Sequence, residues 1–234
     1  MKRFWKVVTV EPGEGGWAIA LDGRPVRTPA RNALAVPTAA LANAMAEEWR
    51  ATGETADPRA MPLTGLANAA IDRVSPDRAT FAAGLARYAE ADLTCYRAEG
   101  PRPLVERQER AWDPLLAWAR RRFDIDFAVT AGITHVPQPQ ATVERLAHAV
   151  SALDAFRLAG MSPLVTIGGS LVAALALLEH AASPEEAWAA VTVDEQWQAE
   201  KWGADAEAEA ALEGRRRDFM AAARFLELLS ARGQ

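Results

Sequence analysis

The sequence predicts an α+β protein, with a small β-rich N-terminal domain over residues 1–74 and a larger α-helical domain over residues 75–234. Three observations predict it. The first forty residues alternate short stretches rich in aromatic and β-branched side chains with Gly- and Pro-containing turns. Ser75-Pro76 then sets a capping hydroxyl before a proline, the signature of a helix start. From there to the end, apolar residues recur at spacings of three and four, the period of an amphipathic helix.

The elements follow in order. Phe4–Val10 reads as a strand, P-G-E-G-G as a turn, and Trp17–Leu21 as a second strand. Asp22-Gly23 is a hairpin signal, because a tight hairpin turn needs residues that tolerate positive φ. Pro25–Thr28 and Ala33–Val36 make two more short strands of a small antiparallel sheet. Thr38 caps a helix to Ala51 that sets Leu41, Met45 and Trp49 or Glu48 on one side, and a second helix runs from Leu63 to Arg73. The helical domain then reads as Pro76–Glu90, Pro103–Arg122 with a break or kink at Pro114, Ala141–Leu158, Ser162–Ala181, Pro184–Lys201 and Ala204–Ser230. Ser183-Pro184-Glu185-Glu186 repeats the cap-then-proline pattern, with acids where the helix dipole favours them.

Composition narrows the function. Half of the 234 residues are hydrophobic and 24% are charged, which suits a folded domain with a real core. The net charge of −5 argues against nucleic acid as a main partner, since phosphate binding draws on a surplus of Lys and Arg. A single cysteine, Cys95, allows no internal disulfide and fits a reducing compartment. The N-terminus turns acidic too soon for a signal or transit peptide. The longest apolar run, Leu164–Leu178, is too short to cross a bilayer. The expectation is a bacterial cytoplasmic protein without membrane insertion.

Catalytic signatures are weak. His135, His148 and His180 are scattered, and none stands at metal-ligand spacing with another histidine or with Cys95. Cys95 in L-T-C-Y-R reads as a small buried residue. Thr166-Ile167-Gly168-Gly169-Ser170 resembles part of a phosphate loop but lacks the Gly-Lys-Ser/Thr ending, so its glycines read as a close approach of two helices.

One segment stands apart: V-T-V-D-E-Q-W-Q-A-E-K-W-G, Val191–Gly203, in which two tryptophans sit among charges. As one continuous helix from Pro184 to Trp202, at about 100° per residue, it places Trp188, Val191, Thr192, Glu195, Ala199 and Trp202 in one sector. Ala190, Val193 and Trp197 fall opposite. Glu195 is the anomaly, a carboxylate inside an apolar stripe. Two readings stay open: an internal salt bridge to an arginine of a neighbouring helix, or an acidic centre flanked by tryptophans on a protein-binding surface.

Eight stretches give the chain a resemblance. They are F-W-K-V-V-T-V (Phe4–Val10), L-D-G-R-P-V-R-T-P (Leu21–Pro29), V-P-T-A-A-L-A (Val36–Ala42), E-W (Glu48-Trp49), M-P-L-T-G-L-A-N-A-A-I-D (Met61–Asp72), D-L-T-C-Y-R-A (Asp92–Ala98), R-Q-E-R-A-W-D-P-L-L (Arg107–Leu116) and D-E-Q-W-Q-A-E-K-W-G (Asp194–Gly203). In this order they resemble the assembly chaperones of the F-type ATP synthase that act on the α subunit, the Atp-twelve family of mitochondria and some bacteria. The resemblance implies a β-containing N-terminal domain and a helical C-terminal one. It implies a non-enzymatic function: holding the free α subunit, preventing its aggregation, shielding the surface destined for the β subunit, and releasing it during assembly. No cofactor is implied. The family's functional acid near the chain end falls among Asp194, Glu195 and Glu200, and is carried onto Glu195. The client-binding set expected from the resemblance and the helical wheel is Asp194, Glu195, Trp197, Gln198, Glu200 and Trp202, on a protein acting as a monomer. Leu21–Pro29 is a second candidate surface or simply a structural hairpin. Two other functions stay open: a general protein-binding adaptor, or an enzyme using Asp92, Arg97 or Arg107 in a cleft between the domains.

Overall fold

A computed structural model of the chain describes residues 2–203 and 205–230. They form two compact units. The first is built from residues 2–78, Asp154–Gly160 and 224–230, and the second from Ala79–Leu153 and Met161–Ala223. Two stretches from late in the chain thus belong with the N-terminal unit.

In the first unit, β1 (Val8–Gly13) pairs antiparallel with β2 (Gly16–Leu21), which also pairs with β3 (Arg24–Pro25) and β4 (Ala35–Val36). Asp22 and Gly23 adopt φ values of 49° and 77°, the left-handed pair that a two-residue hairpin turn requires. The Asp22 carboxylate accepts the backbone N–H groups of Val7 at 2.8 Å and Lys6 at 3.1 Å. Those bonds, Val7's foremost, hold its carboxyl below the usual range. The hairpin is therefore tied to the chain entering β1.

Helix α1 (Ala39–Ala51) starts where expected. Thr38 accepts the Leu41 N–H, and Leu41, Met45 and Trp49 are buried. Glu48 takes the N–H groups of Leu63 and Thr64 at 2.8 and 2.9 Å, capping α2 (Pro62–Ala69). Burial raises the Glu48 carboxyl above its ordinary value despite these bonds. The second helix is shorter than expected. Beyond Ala69 it widens into a π-turn over Ala70–Val74, which points Asp72 at the Thr28–Asn32 loop. There Asp72 accepts from Thr28 Oγ1, Asn32 Nδ2 and the Ala30 N–H at 2.7, 2.8 and 2.9 Å.

The later helices differ from the expected boundaries for local reasons. Ser75–Asp77 and Arg87–Glu90 are 3₁₀ turns around α3 (Arg78–Ala86). Strand β5 (Tyr96–Arg97) lies parallel to β6 (Thr130–Ala131), a pairing absent from the sequence reading. Helix α4 (Arg102–Phe123) runs without interruption through Pro114. The expected helices 141–158 and 162–181 are instead three: α5 (Gln140–Ser151), α6 (Ala155–Gly168) and α7 (Leu171–Leu178). Asp154 starts α6 by accepting the Arg157 N–H at 2.9 Å. Pro163 lies inside α6, where it removes one helical donor without ending the helix. Gly169, at φ 65°, terminates α6, and Ser170 caps α7.

The predicted helix 184–201 also splits, into α8 (Pro184–Val191) and α9 (Val193–Trp202). The break is Thr192, at φ −118° and ψ 18°. Its hydroxyl donates back to the Trp188 carbonyl at 2.7 Å and accepts from Gln196 Nε2 at 2.7 Å, diverting the backbone from a continuous ladder. The start of α8 carries the expected capping box between Ser183 and Glu186. The last helix is α10 (Ala206–Ser230). The predicted start of that helix at Ala204 lies outside the described residues. None of the described helices is long and apolar enough to cross a membrane.

Candidate functional site

Helix α9 carries the expected site residues, and α4 fixes its position. Trp112, fully buried, donates its indole N–H to the Ala190 carbonyl at 2.7 Å. Gln108 donates to Asp194 Oδ1 at 2.7 Å and accepts the Ala98 N–H at 2.8 Å. Arg107 reaches Glu200 with two bonds of 2.9 Å each, the paired geometry in which a guanidinium binds a carboxylate best. That contact holds the Glu200 carboxyl below its usual range. Trp197, 8% exposed, lies beneath two cations: the Arg107 guanidinium is 5.6 Å from its ring centre and the Lys201 ammonium 4.7 Å.

The break at Thr192 overturns the single stripe expected from Trp188 to Trp202. Trp188 is buried, 5.4 Å from the Phe219 ring, whereas Trp202 is 77% exposed. Glu195 does not lie buried between them. Its side chain is 40% exposed and meets Arg215 of α10 at 3.3 Å. Of the two readings for Glu195, the structure shows the salt bridge to a neighbouring helix, with the carboxylate still in reach of solvent.

The six expected residues therefore separate. Asp194, Trp197, Gln198 and Trp202 recur at a helical spacing of three to four and line one groove of about 460 Å³. Glu195 is directed to α10 and Glu200 to α4. The remaining lining of the groove was not anticipated. It comes from the residues around β5, including Glu99, from Leu104 and Gln108 on α4, and from Gly132 and Ile133 after β6. Ile133 is 100% exposed. The signal available in the sequence was an isolated isoleucine in the turn-like stretch A-G-I-T-H.

The residues considered for an enzyme are each engaged in holding the fold. Asp92, buried, accepts from Thr94 N–H and Oγ1, Ser170 Oγ and the Val172 N–H, at 3.0, 2.7, 2.8 and 2.9 Å. It occupies the N-terminus of α7, so the phosphate-loop-like stretch ends at a helix start already filled by the protein's own carboxylate. Burial pushes the Asp92 carboxyl above its ordinary value. Gly168 serves helix packing, since a Cβ there would lie 3.0 Å from Val191 Cγ1 of α8. Arg97 is buried, bonded to Asp113 at 2.6 Å and set over the Trp112 ring. Arg107 is bound to Glu200. Cys95 is fully buried, and burial pushes its thiol up to about 12.

Known proteins share this fold. The family described as ATP12 chaperone protein matches residues 2–120. The crystal structure of Atp12 from Paracoccus denitrificans is 43% identical, covers 97% of this chain and 98% of its own, and superposes with a TM-score of 0.93. An aspartate-to-lysine variant of that protein, 42% identical, gives the same score. A protein of Agrobacterium tumefaciens is 39% identical over 98% of this chain and 86% of its own, again with a TM-score of 0.93. The mitochondrial protein atp12 of Schizosaccharomyces pombe is 27% identical in an alignment 214 positions long that covers 86% of this chain and 74% of that protein. With a matching family, a shared fold and identity well above 30% over almost the full chain, this protein belongs to the ATP12 chaperone family.

Proposed function

We propose that this chaperone serves assembly of the F-type ATP synthase in the bacterial cytoplasm by holding the α subunit before it meets the β subunit, with α9 forming part of the client surface. The single observation that carries the placement is Trp202, three-quarters exposed at the end of α9 and bordering a groove shared with Asp194, Trp197 and Gln198. A large aromatic side chain left in water beside a concave surface is the usual anchor of a protein interface. Glu195 and Glu200 lie on the same helix outside the groove. Both carboxylates are partly exposed and ion-paired, Glu195 with Arg215 and Glu200 with Arg107. Apolar anchoring with polar punctuation suits a holder that must later release its client. No cofactor enters this reading, and the working form is the monomer.

The test is recovery of partners on the tagged protein from its own lysate, identified by mass spectrometry, with Glu195→Lys run alongside. Enrichment of the α subunit over β, lost in the variant, supports both client and site. Since the Glu195–Arg215 pair is exposed and worth less than about 1 kcal/mol, the variant is expected to fold normally. Equal recovery with the variant would keep the client and remove Glu195 from the site. Absence of α subunit with wild type would overturn the reading.

A further inference from the structure

We infer that the groove beside α9 receives a client segment in which an apolar side chain stands next to a lysine or arginine: the apolar group between Ile133 and Trp202, the base against Glu99 and Asp194. This rests on the chaperone reading above and adds to it a second wall and the chemistry of what binds.

Two large apolar side chains line the groove from different elements, Trp202 from the end of α9 and Ile133 from the loop after β6. Large exposed hydrophobics are few among the described residues, and these are the two most exposed of them. Their meeting on one concave surface is what an apolar anchor requires from both sides.

The charge at the groove is negative where it is accessible. Glu99 is exposed and makes no ion pair among the described residues. Asp194 accepts a bond from the neutral amide of Gln108 and makes no ion pair among the described residues. The lining cation, Arg97, is buried and paired with Asp113. The neighbouring cations are engaged by the protein itself, Arg107 by Glu200 and Lys201 on the ring of Trp197, which is part of the lining. A basic client residue would find two carboxylates that make no ion pair among the described residues.

The experiment uses the full-length protein and purified α subunit. Affinity is measured by calorimetry, and protection by light scattering of the subunit as it aggregates. The variants are Ile133→Asp and Glu99→Lys, both at exposed positions, with circular dichroism and melting temperature confirming their folds. Each is expected to weaken binding by about tenfold, the loss typical of a single interface anchor. Wild-type affinity is expected to fall as salt is added, and the Glu99→Lys variant to lose most of that dependence. Wild-type protection with both variants within about twofold of it would overturn the groove alone. No wild-type binding would overturn the α-subunit reading and this inference together. Concentration-dependent self-association in sedimentation, abolished by Ile133→Asp, would assign the groove to a second copy of the chain and likewise overturn the client segment.

Discussion

Gln108 hands its side-chain N–H to Asp194 at 2.7 Å while its carbonyl oxygen holds the Ala98 N–H at 2.8 Å. It is 1% exposed, so its amide is itself withdrawn from water. Ala98 and Asp194 both line the groove, and they belong to different elements. One buried amide from α4 therefore joins two walls of the candidate site. A donor and an acceptor are both required there, which glutamine supplies and a purely apolar or purely ionised side chain does not.

Replacing Gln108 with methionine keeps most of the volume and removes both bonds. The part-buried Ala98 N–H then loses its acceptor. The expected loss is about 1–3 kcal/mol in urea unfolding. Gln108→Glu keeps an acceptor for Ala98 but sets a second carboxylate against Asp194. Its penalty is expected to shrink as the pH is lowered into the carboxylate range, where one proton is shared between them. Equal stability of wild type and the methionine variant would show that the bridge holds nothing in place.

Such a bridge could not be read from sequence. Its partners are ten and 86 residues away from Gln108, and nothing in R-Q-E-R-A-W distinguishes a buried glutamine from a solvated one. Local chemistry was legible. Asp22-Gly23, the Thr38 cap, the Leu41–Met45–Trp49 face and the Ser183 capping box each depend on neighbours a few residues apart. The misplaced helix boundaries have the same origin. Ser162-Pro163 looks like a helix start, yet Pro163 is accommodated within α6, whose true boundaries use Asp154 at its start and Gly169 at its end. Thr192 is unremarkable in a helical pattern, and only its hydroxyl bond to Trp188 reveals the break. Continuity assumed across it gave a stripe containing Glu195. The helix as folded instead groups Asp194, Trp197, Gln198 and Trp202 on one side.

Asp92 joins the L-T-C turn to the start of α7 through four accepted bonds. Asp92→Asn is nearly isosteric, but its NH₂ group must face N–H donors that have no other acceptor. The variant is expected to lose about 1–3 kcal/mol of stability. Asp92→Ala should lose more, because the donors of Thr94 and Val172 are then buried with no partner at all. Chemical denaturation of the two variants measures this order, and an alanine variant as stable as the asparagine one would contradict it.

Cys95 sits three residues beyond Asp92, buried and with its thiol raised to about 12. The thiolate is the reactive form, so the native protein is expected to leave a thiol reagent unconsumed at neutral pH. Addition of denaturant should release one equivalent, the single cysteine of the chain. Labelling in the native state would then proceed only through opening of this region, and its rate should rise in Asp92→Asn. Rapid stoichiometric labelling of the folded wild type would show that the thiol is accessible.

Asp72 gives a pH test of the N-terminal unit. Partial burial alone would raise its carboxyl, but the bonds from Thr28, Asn32 and Ala30 outweigh that and bring it below the ordinary aspartate value. A carboxyl depressed in the folded state binds its proton more weakly there than in the unfolded chain. Its contribution is thus fully present above the unfolded value and lost as the pH falls through the folded one. Asp72→Asn does not titrate, and it places an NH₂ among donors. The variant is expected to melt below wild type at neutral pH, with the gap closing as the pH is taken down through the aspartate range. A gap that stayed constant across a series of melts, or widened toward acid, would mean that the Thr28–Asn32 loop does not depend on the Asp72 charge.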